Sequence, residues 1–254
     1  MGLKRISNVR FMSKPVEFSW SEERLAKALG EAIKSYWKNR GGQSARQTIK
    51  GSKDVGTRAE VTGGKHLNQV LLLLCKVAAG AGFKTEEIFF NVGVELPGYF
   101  RPQKRWDVVI ARNGRLCAAI ELKSQVGSFG NNFNNRSEEA IGCSTDFWTA
   151  FREGALGTQP PWLGYLFLLE KAEGSTRPIG LKTGLFPPFG IFQGTSYAQR
   201  YGILCERLVL ERKYSCASLI LSSRGKKGDF EEPNSSLGFY TFAKSLHGHL
   251  VGCA

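Results

Sequence analysis

Three charged residues stand near the middle of the chain in positions where they could hydrolyse a phosphodiester. Asp107 opens one apolar segment, and Glu121 and Lys123 close the next. Because successive side chains of a strand point to opposite faces, Glu121 and Lys123 share one face. Two carboxylates can hold a hard divalent cation, which polarises a phosphoryl oxygen and acidifies water. A nearby ammonium can orient that water and stabilise the charge of the transition state.

These residue types define a predicted catalytic set of Asp107, Glu121 and Lys123. The predicted ligands of a Mg²⁺ cofactor are Asp107, Glu121 and the main-chain carbonyl of Leu122. The pattern is short, and a solvated strand face gives the same three residues in many proteins. The apolar run at residues 116–120 favours the catalytic interpretation. Charged side chains are rarely buried, so those at the end of a buried strand are often functional.

The connection between the two strands must bring both carboxylates to one face. Asn113 and Gly114 favour a two-residue turn, but strict pairing across such a turn places Asp107 opposite Ile120. The carboxylates of Asp107 and Glu121 would then point apart. We therefore expect a three-residue loop with a glycine bulge, which shifts the pairing by one residue.

A polar segment rich in asparagine follows Lys123, with four asparagines among residues 131–135. Asparagine and glutamine side chains pair with adenine edges, and arginine pairs with guanine. Asn135 is instead predicted to cap a helix over residues 136–152, and an ordinary turn region is the alternative for the whole segment. The predicted DNA-binding residues are Gln125, Asn131, Asn132, Asn134 and Arg136.

The charge and cysteine content narrow the class of protein. Lysine and arginine number 35 against 22 acidic residues, a formal net charge of +13, which favours a polyanionic partner such as nucleic acid. The six cysteines are scattered without a CxxC pair, as in a protein with reduced thiols. The chain shows no signal peptide, and polar residues interrupt its apolar stretch at residues 67–81, so we expect a cytoplasmic location.

The order of the expected elements is that of an α/β protein. Helices are expected at residues 21–38, 65–79, 136–152, 197–213 and 237–250. Strands are expected at residues 88–94, 106–111, 116–123, 163–169 and 217–222. This order predicts a mixed central sheet flanked by helices, in a single domain of residues 1–254 with a basic helical region at 1–60 and a catalytic core at 61–254. Residues 40–58 are basic, and they form either a solvated loop or a segment that orders on the DNA backbone.

The runs around the charged residues resemble the XhoI family of type II restriction endonucleases. The matching runs are WD at 106–107, AAIELKSQVG at 118–127, SFGNNFNNRSEEAIG at 128–142, LPGYFRP at 96–102, WLGYLFLLE at 162–170 and SYA at 196–198. The similarity extends over residues 56–232 and is far more specific than the charged residues alone.

The resemblance implies a restriction-endonuclease-like fold of the PD-(D/E)xK superfamily, whose motif residues fall on Asp107, Glu121 and Lys123. Trp106 stands where the motif has its proline, which many superfamily members lack. The resemblance further implies Mg²⁺-dependent double-strand cleavage of the palindrome CTCGAG after its first C, leaving 5′ overhangs. A homodimer would match the two-fold symmetry of that site. A companion methyltransferase would act in the same cell without forming a stable complex.

Other interpretations of the sequence use different residues. A zinc site with His247, His249 and Cys253 is disfavoured because these residues lie at the chain end. A non-catalytic DNA-binding protein, in which Glu121 and Lys123 form only a structural ion pair, stays open. So does a repair or recombination nuclease with the same core. Mg²⁺-dependent nicking distinguishes the first, and discrete fragments from intact circular DNA distinguish the second.

Overall fold

The computed structural model describes residues 20–50, 67–182 and 184–253, with the backbone alone for residues 42–50. The strands are β1 (Ile88–Phe90), β2 (Glu95–Pro97), β3 (Gln103–Arg105), β4 (Val108–Arg112), β5 (Arg115–Gln125), β6 (Trp162–Glu170) and β7 (Cys216–Ser222). The helices are α1 (Glu22–Lys50), α2 (Asn68–Gly80), α3 (Phe129–Arg152), α4 (Glu173–Thr176), α5 (Tyr197–Leu210) and α6 (Phe239–Val251). Short 3₁₀ helices cover Thr85–Glu87, Gly190–Phe192 and Ser235–Leu237.

Five strands form a mixed central sheet in the order β1-β4-β5-β6-β7. The first three strands in this order pair antiparallel, and β5, β6 and β7 pair parallel. One face of the sheet packs against α1, α2 and α6, and the other packs against α3 and α5. The continuous apolar sequences of β6 and β7 suit strands that are covered on both faces. The predicted α/β class with a mixed sheet flanked by helices is confirmed.

The hairpin between β4 and β5 differs from the expected three-residue loop. Asn113 and Gly114 form a two-residue turn with positive φ angles of 52° and 75°. The shift in pairing comes instead from a bulge within β5, because Ile110 pairs with Ala118 and Ala111 pairs with Leu116. The loop length was therefore predicted wrongly. The bulge still has the effect that the catalytic interpretation requires, since Val108 pairs with Ile120 and the next position along brings Asp107 opposite Glu121.

A second hairpin, formed by β2 and β3, was not predicted. Its turn is held by the buried carboxylate of Asp146 from α3. That carboxylate accepts hydrogen bonds from the backbone N–H groups of Tyr99 (2.8 Å) and Phe100 (2.9 Å) and from Arg101 Nε (2.7 Å). The turn packs so closely that a Cβ on Gly98 would lie 2.7 Å from the Arg101 carbonyl oxygen. Helix α3 therefore fixes the position of this hairpin.

Two helices are longer than predicted. Helix α1 continues to Lys50, so residues 40–50 are helical rather than a loop, and residues 51–58 lie outside the described part of the chain. Helix α3 starts at Phe129 rather than at residue 136. The rings of Phe129 and Phe133, one helical turn apart, pack against Tyr197 and Tyr201 at centroid distances of 6.4 and 5.1 Å. This packing outweighs the low helix propensity of the intervening glycine and asparagines.

The early start of α3 changes the role of Asn135. The residue lies inside the helix with an exposed side chain and does not cap it, so the predicted cap is wrong. Ser128 occupies the N-cap position with a left-handed backbone and no side-chain capping bond. Asn135 is therefore available for contact with another molecule.

Two further sequence predictions concern the state of the cysteines and membrane-spanning helices. All six cysteines carry free thiols, as predicted, and Cys75, Cys117, Cys205 and Cys216 are buried. Among the helices of the described residues, none has the length and hydropathy needed to cross a bilayer.

Candidate active site

Asp107 lies immediately before β4 and connects that strand to β5 through its side chain. Its Oδ2 accepts a hydrogen bond from the backbone N–H of Leu122 at 2.7 Å. Its own N–H donates to the Ile120 carbonyl at 3.1 Å. These two bonds hold Asp107 against the residues on either side of Glu121 in β5.

Glu121 is buried and lies between two ammonium groups. Its Oε1 is 2.6 Å from Lys123 Nζ, and its Oε2 is 2.5 Å from Lys104 Nζ. The first contact follows from strand alternation, which puts Glu121 and Lys123 on one face. The structure thus brings Asp107, Glu121 and Lys123 together, and it adds a lysine that sequence analysis missed.

The pKa values of the Asp107 and Glu121 carboxylates shift in opposite directions. Burial and the neighbouring negative charge of Glu121 raise the pKa of Asp107 to about 6. Burial also opposes the charge on Glu121, but Lys104 and Lys123 outweigh it and hold its pKa below the ordinary value. Burial disfavours the charge on Lys123, yet Glu121 and Asp107 raise its pKa. Glu121 and Lys123 are therefore both charged at neutral pH.

Lys104 reaches the site from β3, outside the strands that carry the other charges. Its side chain is 10% exposed, and its Nζ lies 4.0 Å from the centroid of the Trp106 ring. Its neighbours Gln103 and Arg105 are also polar, so no apolar alternation marked β3 as a strand. The sequence therefore contained no local signal that Lys104 turns inward.

The donor set of the site fits Mg²⁺, which is commonly held by one or two carboxylates and retains several waters. Asp107 and Glu121 supply those carboxylates. Leu122 follows Glu121 in β5 and donates its N–H to Asp107, and a role for its carbonyl as a ligand stays a prediction. Within residues 20–50, 67–182 and 184–253, no three His, Cys, Asp or Glu side chains gather as metal ligands. His247 and His249 thus gather no zinc site there.

Helix α3 runs alongside this cluster. Burial lowers the pKa of Lys123, and Glu121, Asp107 and, to a smaller extent, Glu139 of α3 raise it. Glu139 also pairs with Arg136 Nη1 at 2.6 Å. Residues four apart on a helix lie on one line, so Asn131, Asn135 and Glu139 form a row that leads towards Lys123. Asn131 and Asn135 are both exposed.

The predicted DNA-binding residues divide into two groups. Asn131 and Asn134 are exposed on α3. The other three bond within the protein: the buried Gln125 amide donates to the Gly127 carbonyl at 2.5 Å, and Asn132 donates to the Ser128 carbonyl at 3.0 Å. The partly buried Arg136 is paired with Glu139. An amide and a guanidinium have more N–H donors than these single bonds use, so Asn132 and Arg136 can contact DNA while keeping them. The buried Gln125 would first have to become accessible.

Comparison with known proteins identifies the family of this chain. The family model described as restriction endonuclease XhoI matches residues 46–232. The chain is 44% identical over 208 residues to the type II restriction enzyme BstVI of Geobacillus stearothermophilus, a match that covers 78% of this chain and 93% of the relative. It is 42% identical over 193 residues to the type II restriction enzyme XhoI of Xanthomonas vasicola, covering 74% and 76%.

A third relative and the solved structures complete the comparison. The type II restriction enzyme AbrI of Azospirillum brasilense is 43% identical over 150 residues, covering 58% of this chain and 67% of the relative. No solved structure matches the chain. The predicted family and the predicted enzyme class, a type II restriction enzyme, are both confirmed. The chain belongs to the restriction endonuclease XhoI family.

Proposed function

We propose that the chain cuts both strands of DNA in a Mg²⁺-dependent reaction at a palindromic site. The family resemblance implies the site CTCGAG, cut after its first C to leave 5′ overhangs. One observation carries the proposal: the Asp107 carboxylate bonds the backbone N–H of Leu122, the residue after Glu121, and Lys123 Nζ lies 2.6 Å from Glu121 Oε1. A family of restriction enzymes supplies the context for that geometry.

The roles of the residues follow from their positions. Asp107 and Glu121, with the Leu122 carbonyl, would hold Mg²⁺, which when bound supplies Lewis-acid polarisation of the phosphate and a lower pKa for attacking water. Lys123 Nζ, fixed by Glu121, can orient the water and stabilise negative charge on the phosphate oxygens. The burial of Glu121 limits bulk water and strengthens each of these interactions.

Base recognition is proposed for the exposed asparagines of α3. An α helix fits the DNA major groove, and asparagine can pair with both the N6 and N7 positions of adenine. Asn131 and Asn134 keep the role expected from the sequence, and Asn135 joins them because it is exposed rather than a cap. Asn132 and Arg136 remain proposed contacts through donors that their internal bonds do not use, and Gln125 remains one that requires the buried amide to become accessible.

The basic end of α1 is proposed to contact the DNA backbone. Tyr36 of α1 interacts with Ser124 near the end of β5 and with Arg40 on its own helix. This contact supports a position for Arg40 close to the catalytic strand. Phosphate contacts of this kind orient a protein on DNA without reading its sequence.

The assembly and cellular context are part of the same proposal. Residues 1–254 would form one nuclease domain, working in the cytoplasm as a homodimer in a restriction-modification system. A companion methyltransferase would protect the host site without binding stably to the nuclease. Sedimentation of the protein, free and on DNA containing CTCGAG, should give a dimer in at least one state, and monomers in both would contradict this part.

The cleavage experiment uses two circular plasmids that differ by one base within a single CTCGAG sequence. With Mg²⁺, the protein should convert only the plasmid with the intact site to the linear form, and it should cut neither plasmid in EDTA. The Glu121→Gln variant is the matched control for contaminating nucleases. Binding without cutting would favour the non-catalytic alternative, and a smear of fragments would favour a repair or recombination nuclease.

A further inference from the structure

Lys104 is a second inward-facing lysine at Glu121, and it comes from an element outside the central sheet. It is the middle residue of β3, which pairs with β2 in a separate two-stranded sheet. The flanking Gln103 and Arg105 are exposed, whereas Lys104 points inward, as strand alternation requires. The burial of Lys104 therefore follows from its position in the β2–β3 hairpin and not from one conformation of a surface side chain.

The ammonium of Lys104 is held on three sides. It bonds Glu121 Oε2 at 2.5 Å and the Arg105 carbonyl at 2.9 Å, and it lies 4.0 Å from the centre of the Trp106 ring. A surface lysine would instead keep its ammonium in water while its stem packed on the protein. The contacts form a specific binding place for one positive charge.

Helix α3 supports this arrangement from two points. Its Asp146 holds the turn of the β2–β3 hairpin, and its Phe147 packs edge-on against the Trp106 ring at a centroid distance of 5.3 Å. The same helix carries Glu139, which interacts with Lys123. Helix α3 thus positions the hairpin that carries Lys104, and its Glu139 adds negative charge near Lys123.

The double pairing of Glu121 has a chemical consequence. Each of its two oxygens bonds an ammonium, so a cation that binds Glu121 competes with both lysines for the charge of this carboxylate. Asp107 attracts both lysines, and each of them forms one ion pair among the described residues. Glu139 also attracts Lys123, and Lys104 comes from the separate two-stranded sheet, so Lys104 is the lysine that leaves Glu121 more readily. Its flexible four-carbon stem then lets the ammonium reach a new anion nearby.

We propose that Lys104 is a phosphate-binding residue of the catalytic site, whose ammonium exchanges between Glu121 and a non-bridging oxygen of the scissile phosphate. The inference rests on the proposed nuclease function and adds a charged residue to it. Without DNA, Lys104 competes with the metal ion for Glu121. With DNA, it stabilises the negative charge that develops on the phosphate.

The test uses Lys104→Met, which keeps the length and apolar packing of the side chain but removes its charge. Arg105→Met is the matched control, because it removes a positive charge one residue away on the exposed face of the same strand. Two quantities are measured: the affinity of the DNA-free protein for Mn²⁺, followed by the EPR signal of the free ion, and the single-turnover cleavage rate with Mg²⁺.

The expected effects have opposite directions. Loss of a charged hydrogen-bonding competitor should tighten Mn²⁺ binding by on the order of tenfold. Loss of a charge that stabilises the transition state should slow cleavage by about 100-fold or more. The Arg105→Met control should match the wild type within a few-fold in both measurements. A lysine with a purely structural role would weaken metal binding and cleavage together.

The outcomes separate this inference from the function on which it rests. Folded Lys104→Met with unchanged or weaker Mn²⁺ binding, or with wild-type cleavage, overturns the role of Lys104 alone. Absence of cleavage by the wild type with any divalent cation overturns the proposed function itself. If Lys104→Met does not fold, Lys104→Gln is judged by the same criteria, and failure of both to fold would show that Lys104 is only a structural ion-pair partner.

Discussion

Two neighbouring regions of this molecule are built in opposite ways. The first, the charged cluster, consists of Asp107, Glu121, Lys123 and Lys104. Its charges bond one another and the backbone, and Glu121 is buried. The second, the asparagine face of α3, consists of Asn131, Asn134 and Asn135. These side chains are exposed to solvent.

The contrast suggests a division of roles between the two regions. Charges fixed in a buried site are already oriented for the reaction, so they act on rate. Keeping them there opposes stability, because buried charges lose their hydration. Exposed asparagines affect neither the core nor the charged cluster, so they act only when a partner arrives. Substitutions in the first region should therefore change rate and stability, and those in the second should change specificity.

The largest effect is expected from the carboxylates and Lys123. Glu121→Gln and Asp107→Asn should abolish cleavage, because each removes a ligand charge, while specific binding to DNA largely survives. Lys123→Ala should lose at least about 10³-fold in rate, the order found for loss of one charge-stabilising group. Single-turnover cleavage and gel-shift measurements on the same preparations check both statements. Normal turnover by Glu121→Gln would remove the distinction between the two regions.

A second test addresses the buried face of α3. Asp146→Ala removes the acceptor of three hydrogen bonds from the β2–β3 hairpin. The free energy of unfolding should fall by about 2–4 kcal/mol, because three partly buried donors lose a charged partner. Urea unfolding measures this change, with Glu138→Ala on the exposed face of α3 as the control. Equal stability of the two variants would mean that α3 does not anchor the hairpin.

The asparagine face should affect base discrimination. Asn131→Ala and Asn135→Ala should each weaken binding to the cognate palindrome by about 1–3 kcal/mol per lost bidentate contact, with little effect on a one-base mismatch. The ratio of the two affinities is the quantity to measure, in Ca²⁺ or with Glu121→Gln so that DNA stays intact. Gln125→Ala tests the buried contact in the same assay. Wild-type ratios in both α3 variants would place recognition elsewhere.

Asp107 should make the stability of the protein depend on pH, with a smaller effect of definite sign. Its folded-state pKa of about 6 lies above the ordinary value of 3.8, so folding takes up a proton between these pH values. Stability from this group is therefore present at low pH and is lost as pH rises through about 4 to 6. In EDTA at pH 8, Asp107→Asn should be more stable than the wild type by about 1–2 kcal/mol, after allowance for solvent screening. The difference should shrink towards pH 4.

The smallest expected effect is a change in stability on Asn135→Ala. Its sign distinguishes a helix cap from an exposed position inside α3. A cap would make Asn135→Ala less stable by about 1 kcal/mol. An exposed position inside a helix should instead make it slightly more stable, by up to about 0.7 kcal/mol, because alanine is the better helix former. Thermal unfolding against Asn134→Ala, which lies on the same helix, measures the sign. A clear loss of stability would return Asn135 to a structural role.

Much of the fold and part of the site could be predicted from local sequence. The apolar runs of β5 and β6 identify buried strands, and the two-residue repeat of a strand puts Glu121 and Lys123 on one face. The runs shared with a known family identified the enzyme class. These features depend on residues that are close in sequence, so spacing and residue type were sufficient.

Tertiary contacts decided the rest. The bulge in β5 between Ala118 and Leu116 places Asp107 beside Glu121, although the two-residue turn alone would have separated them. Packing on α5 starts α3 at Phe129 and so exposes Asn135. The packing of α3 on α5 depends on residues far apart in the chain, and its energy exceeds local propensity. Lys104 joins the site for the same reason, because Asp146, 42 residues further along, holds the hairpin that directs it to Glu121.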